Sequence, residues 1–176
     1  EDVRDGGMLG LSRACAGDTE LSPRLLGAPL TTGGALAYAA GLAASGSLPI
    51  ALLPSAATLV EGLPALREVG RARWRSADQR TLPLLMVAPS GPGFGLGGDS
   101  AESFEGMLSQ VPGLRVVVAS NPATMGSLLH AAASFEAGED PTLLLLPRNL
   151  LLRDVNAPDG ALGRSMAASC IVRDGE

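Results

Sequence analysis

Apolar positions in this chain come in two textures that alternate along its length. Runs at residues 49–53, 82–88 and 143–146, unbroken, and at 114–119, broken only by Arg115, are too short for helices and lack the polar alternation of a half-exposed strand. They predict strands covered on both faces. Between them, apolar residues fall at helical spacing. Leu59, Leu63, Leu66 and Val69 with Gly70 recur on one stripe, with Arg67, Arg71 and Arg75 on the other. Small side chains dominate residues 34–45 (Ala35, Ala37, Ala39, Ala40, Gly41, Ala43, Ala44), which predicts a helix able to pack very close to a neighbour and ended by Gly46. Residues 100–110 predict a short helix, and Pro122 with Ala123 opens another through about residue 137. Residues 24–27 predict one more short strand, ahead of a stop at Pro29 and a helix start at Thr31 and Thr32.

Strands that alternate with helices are joined by right-handed crossovers and form a parallel sheet between helical layers, the α/β three-layer class. Ligands of such sheets bind beyond the carboxyl ends of the strands. The loops at 29–34, 54–58, 89–100 and 120–122 are therefore expected to share one rim. Periodicity stops after Arg153, so residues 1–153 are expected to form the domain and 154–176 a linker.

Composition narrows what such a domain does. The length of 176 residues suits one domain, and 46% hydrophobic against 18% charged residues excludes a disordered chain. A net charge of −5, with every cation an arginine, leaves no basic footprint for nucleic acid. No window of eighteen apolar residues is present, so no membrane partner is expected and a cytoplasmic setting is the simplest reading. Only Tyr38, Trp74, Phe94, Phe104 and Phe135 are aromatic, few for stacking on a ring. Cys15 and Cys170 have no zinc spacing and read as ordinary thiols.

Candidate chemistry is sparse. Gly93, Gly95 and Gly98 satisfy Gly-x-Gly-x-x-Gly after a strand, yet a dinucleotide site wants an acidic residue ending the next strand, where Ala119, Ser120 and Asn121 stand. The single histidine, His130, falls mid-helix among Leu128, Leu129, Ala131 and Ala132 and reads as packing or surface. Asp99, Glu102 and Glu105 read as a solvated loop and helix start. No serine sits in a nucleophile elbow.

The order of several short motifs is more telling than any one of them. Glu1, Asp2, Val3 with Gly6 and Gly7 come first, then Pro29, Leu30, Thr31 with Gly34, Gly41, Gly46 and Pro49, and then residues 73–76. Ala88, Pro89, Ser90, Gly91 and the run from Val111, Pro112, Gly113, Leu114 and Arg115 to Val118 follow. In this order the chain resembles the pyrimidine-binding domain of transketolase-like thiamine diphosphate enzymes, nearest the beta subunit of 2-oxoacid dehydrogenases. The resemblance implies a thiamine diphosphate-binding fold, with a further helix and strand before Glu1 and a second domain after Glu176. It also implies an alpha-type partner that holds the diphosphate and magnesium, and a second copy of the chain.

Residue by residue, the resemblance implies departures at the cofactor. The family's glutamate that protonates the aminopyrimidine falls at Thr32, its loop histidine at Ser100, and an aromatic residue on the pyrimidine at Ala57. A hydroxyl cannot supply the charge-assisted bond that drives ring tautomerisation. The expectation is a degenerate, non-catalytic domain serving as a structural or partner-binding element. A working subunit using a different acid, and an unrelated small-ligand or nucleotide-binding α/β domain, are the alternatives.

Overall fold

The structure, a computed structural model, describes residues 3–28, 31–77, 80–93, 95, 97–99, 101–120, 122–133 and 140–151. Four strands, β1 (Ile50–Leu52), β2 (Leu85–Ser90), β3 (Arg115–Val118) and β4 (Thr142–Pro147), form a sheet in the order β1-β2-β4-β3. Every pairing is parallel, with Leu85 opposite both Ile50 and Thr142, and Arg115 also opposite Thr142. The helices are α1 (Arg13–Gly17), α2 (Thr32–Ala44), α3 (Leu63–Arg75), α4 (Glu105–Leu108), α5 (Pro122–Ala133) and α6 (Arg148–Leu151).

The unbroken apolar runs follow from burial on both faces. Met86, Ala88, Leu143 and Leu145 face one core with Leu36 and Ala39 of α2, Leu66 and Val69 of α3 and Leu108 of α4. Their alternates Leu85, Val87, Leu144 and Leu146 face the other core with Ala132 and the partly buried Leu128 of α5. Each buried leucine contributes roughly 1.5–3 kcal/mol relative to exposure, as an upper bound. Three layers result, as the alternating pattern requires.

Two strands are less covered than their sequences suggest. β1 and β3 lie at the edges of the described sheet, and Ile50 is 51% exposed and Val118 43%. A continuous apolar run identifies a strand but not its place in the sheet, which non-local pairing sets. The expected strand at 24–27 is not formed: Ser22–Arg24 is a 3-10 turn with Pro23 near its start, and 25–28 have no regular structure. Proline suits the first positions of a helical turn, and this local signal outweighs the pair Leu25 and Leu26. The helix expected over 100–110 is confined to Glu105–Leu108.

Helix α2 carries three glycines, each costing about 1 kcal/mol relative to alanine, so packing holds it together. Thr31 caps it, its hydroxyl accepting from the Gly34 amide at 3.1 Å, and Gly46 follows the last turn at φ +91°. Thr32, Leu36, Ala39 and Ala43 form its buried stripe, while Ala37, Tyr38, Gly41 and Ala44 are exposed. Helix α3 packs against the turn before β3 without intervening side chains. A Cβ on Gly70 would lie 2.4 Å from the Pro112 carbonyl oxygen, and one on Gly113 would lie 2.0 Å from that of Gly70. Nearby, Arg73 on α3 pairs with Asp140 at 2.7 Å, just before β4. Among the described residues no helix is long and apolar enough to cross a membrane.

Candidate functional site

Parallel strands place all their carboxyl ends at one edge of the sheet, where the described candidates Thr32 and Ala57 lie. The chain leaves β1 into residues 53–62, which include the 3-10 turn Ala57–Leu59, before α3 begins. Because α2 feeds β1 from the opposite direction, its first residue, Thr32, returns to this same edge. Thr32 is only 6% exposed, and its Cγ2 lies 3.1 Å from where a Cβ on Gly62 would stand, with Leu36 Cδ1 at 2.9 Å. The glycine lets the start of α2 sit on the start of α3. No hydrogen bond to the Thr32 hydroxyl is present among the described residues.

Ala57 is half-buried in the loop after β1, its amide donating to the Ser55 hydroxyl at 3.2 Å. The fold thus brings Thr32 and the loop of Ala57 to one rim. Ser100 lies outside the described residues, as do Pro29, Leu30, Asn121, Cys170 and the 154–176 segment. The glycine loop leaves β2 with Gly93, Gly95 and Gly97 at φ +148°, +63° and +87°, and the next helix does not begin until Glu105. A dinucleotide loop turns directly into its helix, so this one lacks the helix N-terminus that would receive a pyrophosphate.

The polar contacts of the rim are not foreseen from the sequence. Ser90, buried at the end of β2, donates its hydroxyl to Glu105 Oε1. Glu105 is therefore half-buried and engaged rather than solvated, unlike the exposed Asp99 and Glu102. Arg148, at the end of β4, is 2% exposed and bonded to the Gly91 carbonyl and the Ser55 hydroxyl. Burial pushes its pKa below the usual guanidinium value. Arginine remains charged through such a shift. No local pattern announces these contacts, because each joins residues 15 to 93 positions apart.

His130 is exposed on α5, and Cys15 is a half-buried free thiol. Open depressions lie along α3, beside Pro64, Arg67 and Arg71, and near residues 16–23; neither contains Thr32 or Ala57.

A parallel three-layer domain whose loops converge on a carboxyl rim defines a ligand-binding or catalytic α/β class rather than one activity. Comparison with known families narrows it. The model for the transketolase pyrimidine-binding domain matches residues 1–153. The chain is 33% identical over 128 residues to the 2-oxoisovalerate dehydrogenase subunit beta of Pseudomonas aeruginosa, covering 72% of this chain and 36% of that protein. It is also 33% identical over 123 residues to the pyruvate dehydrogenase E1 component subunit beta of Staphylococcus aureus, covering 69% and 37%. Against the acetoin:2,6-dichlorophenolindophenol oxidoreductase subunit beta of Cupriavidus necator the identity is 28% over 173 residues, covering 97% and 49%. The chain belongs to the transketolase pyrimidine-binding-domain family and is a beta-subunit-like domain of the 2-oxoacid dehydrogenase group. It spans about a third to a half of the length of these relatives.

Proposed function

We propose that this domain keeps the family's scaffold but not its acid, and serves as a structural or partner-binding element of a thiamine diphosphate enzyme-like assembly in a cytoplasmic setting. Residues 1–153 are its pyrimidine-binding-type domain and 154–176 its linker onward. The carrying observation is Thr32, at the start of α2 on the carboxyl rim, with its methyl group packed beside Gly62. A threonine hydroxyl neither holds the negative charge nor makes the charge-assisted bond that the aminopyrimidine acid step requires. The small Ala57 in the neighbouring turn offers no ring to pack on the pyrimidine. These residues do not fit the catalytic end of the cofactor.

The partner-binding half of the proposal is supported by α2. Its exposed side carries Ala37, Tyr38, Gly41 and Ala44, and a Cβ on Gly41 would meet nothing within 4 Å. The chain's own packing therefore does not account for the small residues there, whereas a closely approaching alpha-type subunit or second copy of the chain would.

A second reading, a working subunit with a different acid, draws on Glu105, the half-buried rim carboxylate bonded to Ser90. Calorimetric titration of thiamine diphosphate into the chain assembled with its best-matching alpha-type partner tests both. The proposal expects weak or no binding. Micromolar binding together with 2-oxoacid turnover that falls on Glu105→Gln would establish the second reading instead.

A further inference from the structure

One buried cation reaches across three strand ends. Arg148 begins α6 directly after β4; its Nη1 donates to the Gly91 carbonyl at 2.8 Å and its Nη2 to the Ser55 hydroxyl at 2.8 Å. Gly91 follows β2 and Ser55 lies beyond β1, so in the order β1-β2-β4 the side chain passes over the middle strand to the far loop. The backbone is shaped to this reach. A Cβ on Gly93 would stand 2.7 Å from Arg148 Cβ and 3.3 Å from the Asn149 amide nitrogen, so only glycine lets the loop after β2 lie on the start of α6. The Ser55 hydroxyl also accepts from the Ala57 amide at 3.2 Å, and the Ala56 amide donates to the Pro89 carbonyl at 2.8 Å.

Burying a cation costs several kcal/mol before its partners compensate, so the side chain is poorly explained as filler. A planar fork with donors at fixed angles can hold two acceptors on different loops at once, which a lysine ammonium cannot do with the same geometry. We infer that Arg148 is a positioning residue that couples the loop after β1, including the turn at Ala57, to the loop after β2, so that the rim moves as one body. This goes beyond the cofactor reading and holds whether or not the rim binds anything. Released from the guanidinium, Ser55 loses the anchor that fixes the Ala57 turn, although the sheet beneath is untouched.

Site-resolved amide hydrogen exchange on the full chain tests this, because the amides of Ala56, Ala57, Leu59 and Val60 are all hydrogen-bonded in the turn. Arg148→Met is expected to speed their exchange roughly tenfold while β4 amides change less than about twofold, and Arg148→Lys to fall between. Gly93→Ala, which strikes Arg148 from the β2 loop, is expected to speed exchange in the same β1-loop amides in the native background. In the Arg148→Met background it should add nothing there. Exchange at 56–60 that ignores all three changes, or that rises equally along β4, would overturn the inference. If Arg148→Met does not fold, Arg148→Lys and Gly93→Ala, which keep the buried charge, decide the matter alone.

Discussion

The two ends of the sheet contrast sharply. At the amino end, α3 meets the turn before β3 backbone against backbone, with Gly70 and Gly113 each occupying space where a Cβ would strike a carbonyl oxygen. Arg73 and Asp140 close the same end. At the carboxyl end lie Thr32, the turn of Ala57, and the glycine loop after β2, joined largely by polar side chains, with close approaches at Gly62 and Gly93. By the resemblance, matching stretches lie at both ends: residues 73–76 and the turn at 111–114 beside the amino end, and residues 88–91 at the carboxyl end of β2, where the proposed departures Thr32 and Ala57 also sit. The amino-end residues are constrained by what fits. On the proposed reading, a rim side chain such as Thr32 can lose the family's chemistry while the packing around it is kept.

Substitutions at the two ends should therefore differ most in cost. Gly113→Ala forces a Cβ onto the Gly70 carbonyl at φ +77° and is expected to destabilise by at least about 3 kcal/mol, or to prevent folding. Denaturant unfolding measures it, and a loss under about 1 kcal/mol would erase the contrast. Leu145→Ala, in the middle of the core shared by both ends, should cost about 2–5 kcal/mol with an unchanged denaturant slope.

Thr32→Glu sharpens the comparison on the rim side. A carboxylate at a helix start gains about 0.3–1 kcal/mol from the helix dipole, but enclosing it without a partner costs more, so a net loss of about 1–2 kcal/mol is expected. A gain in stability would mean that the side chain escapes to water. Asp140→Asn removes an ion pair whose partners are each roughly a third exposed, and should cost no more than about 1 kcal/mol, shrinking in high salt. Thr32→Val, isosteric and with no hydrogen bond to lose among the described residues, should change stability by less than about 0.5 kcal/mol.

Reading the sequence alone recovers the amino end and centre of the molecule better than the rim. The central strands β2 and β4 announce themselves because both faces are covered, which leaves no polar position in Leu143, Leu144, Leu145 and Leu146. The edge places of β1 and β3 stay hidden, since strand order depends on pairings between distant segments. Residues 24–27 mislead because two leucines have no periodicity to weigh against the proline that precedes them. Thr32 and Ala57 are recovered as rim residues through the family resemblance and through strand polarity. Arg148, Ser55 and the Ser90–Glu105 pair are not, because a lone arginine or serine at a strand end looks like any solvated residue until loops far along the chain fold over it.

The claim that the scaffold outlived its chemistry meets its most direct test in turnover. Cofactor-dependent dye reduction with pyruvate, branched-chain 2-oxoacids and acetoin would be measured for the chain assembled with an alpha-type partner, as the native protein, as Thr32→Glu, and as the triple change Thr32→Glu, Ser100→His, Ala57→Phe. The account predicts no turnover by the native protein and none by Thr32→Glu alone, because groups that act as a unit are not restored singly. Substantial turnover by the native protein would contradict it.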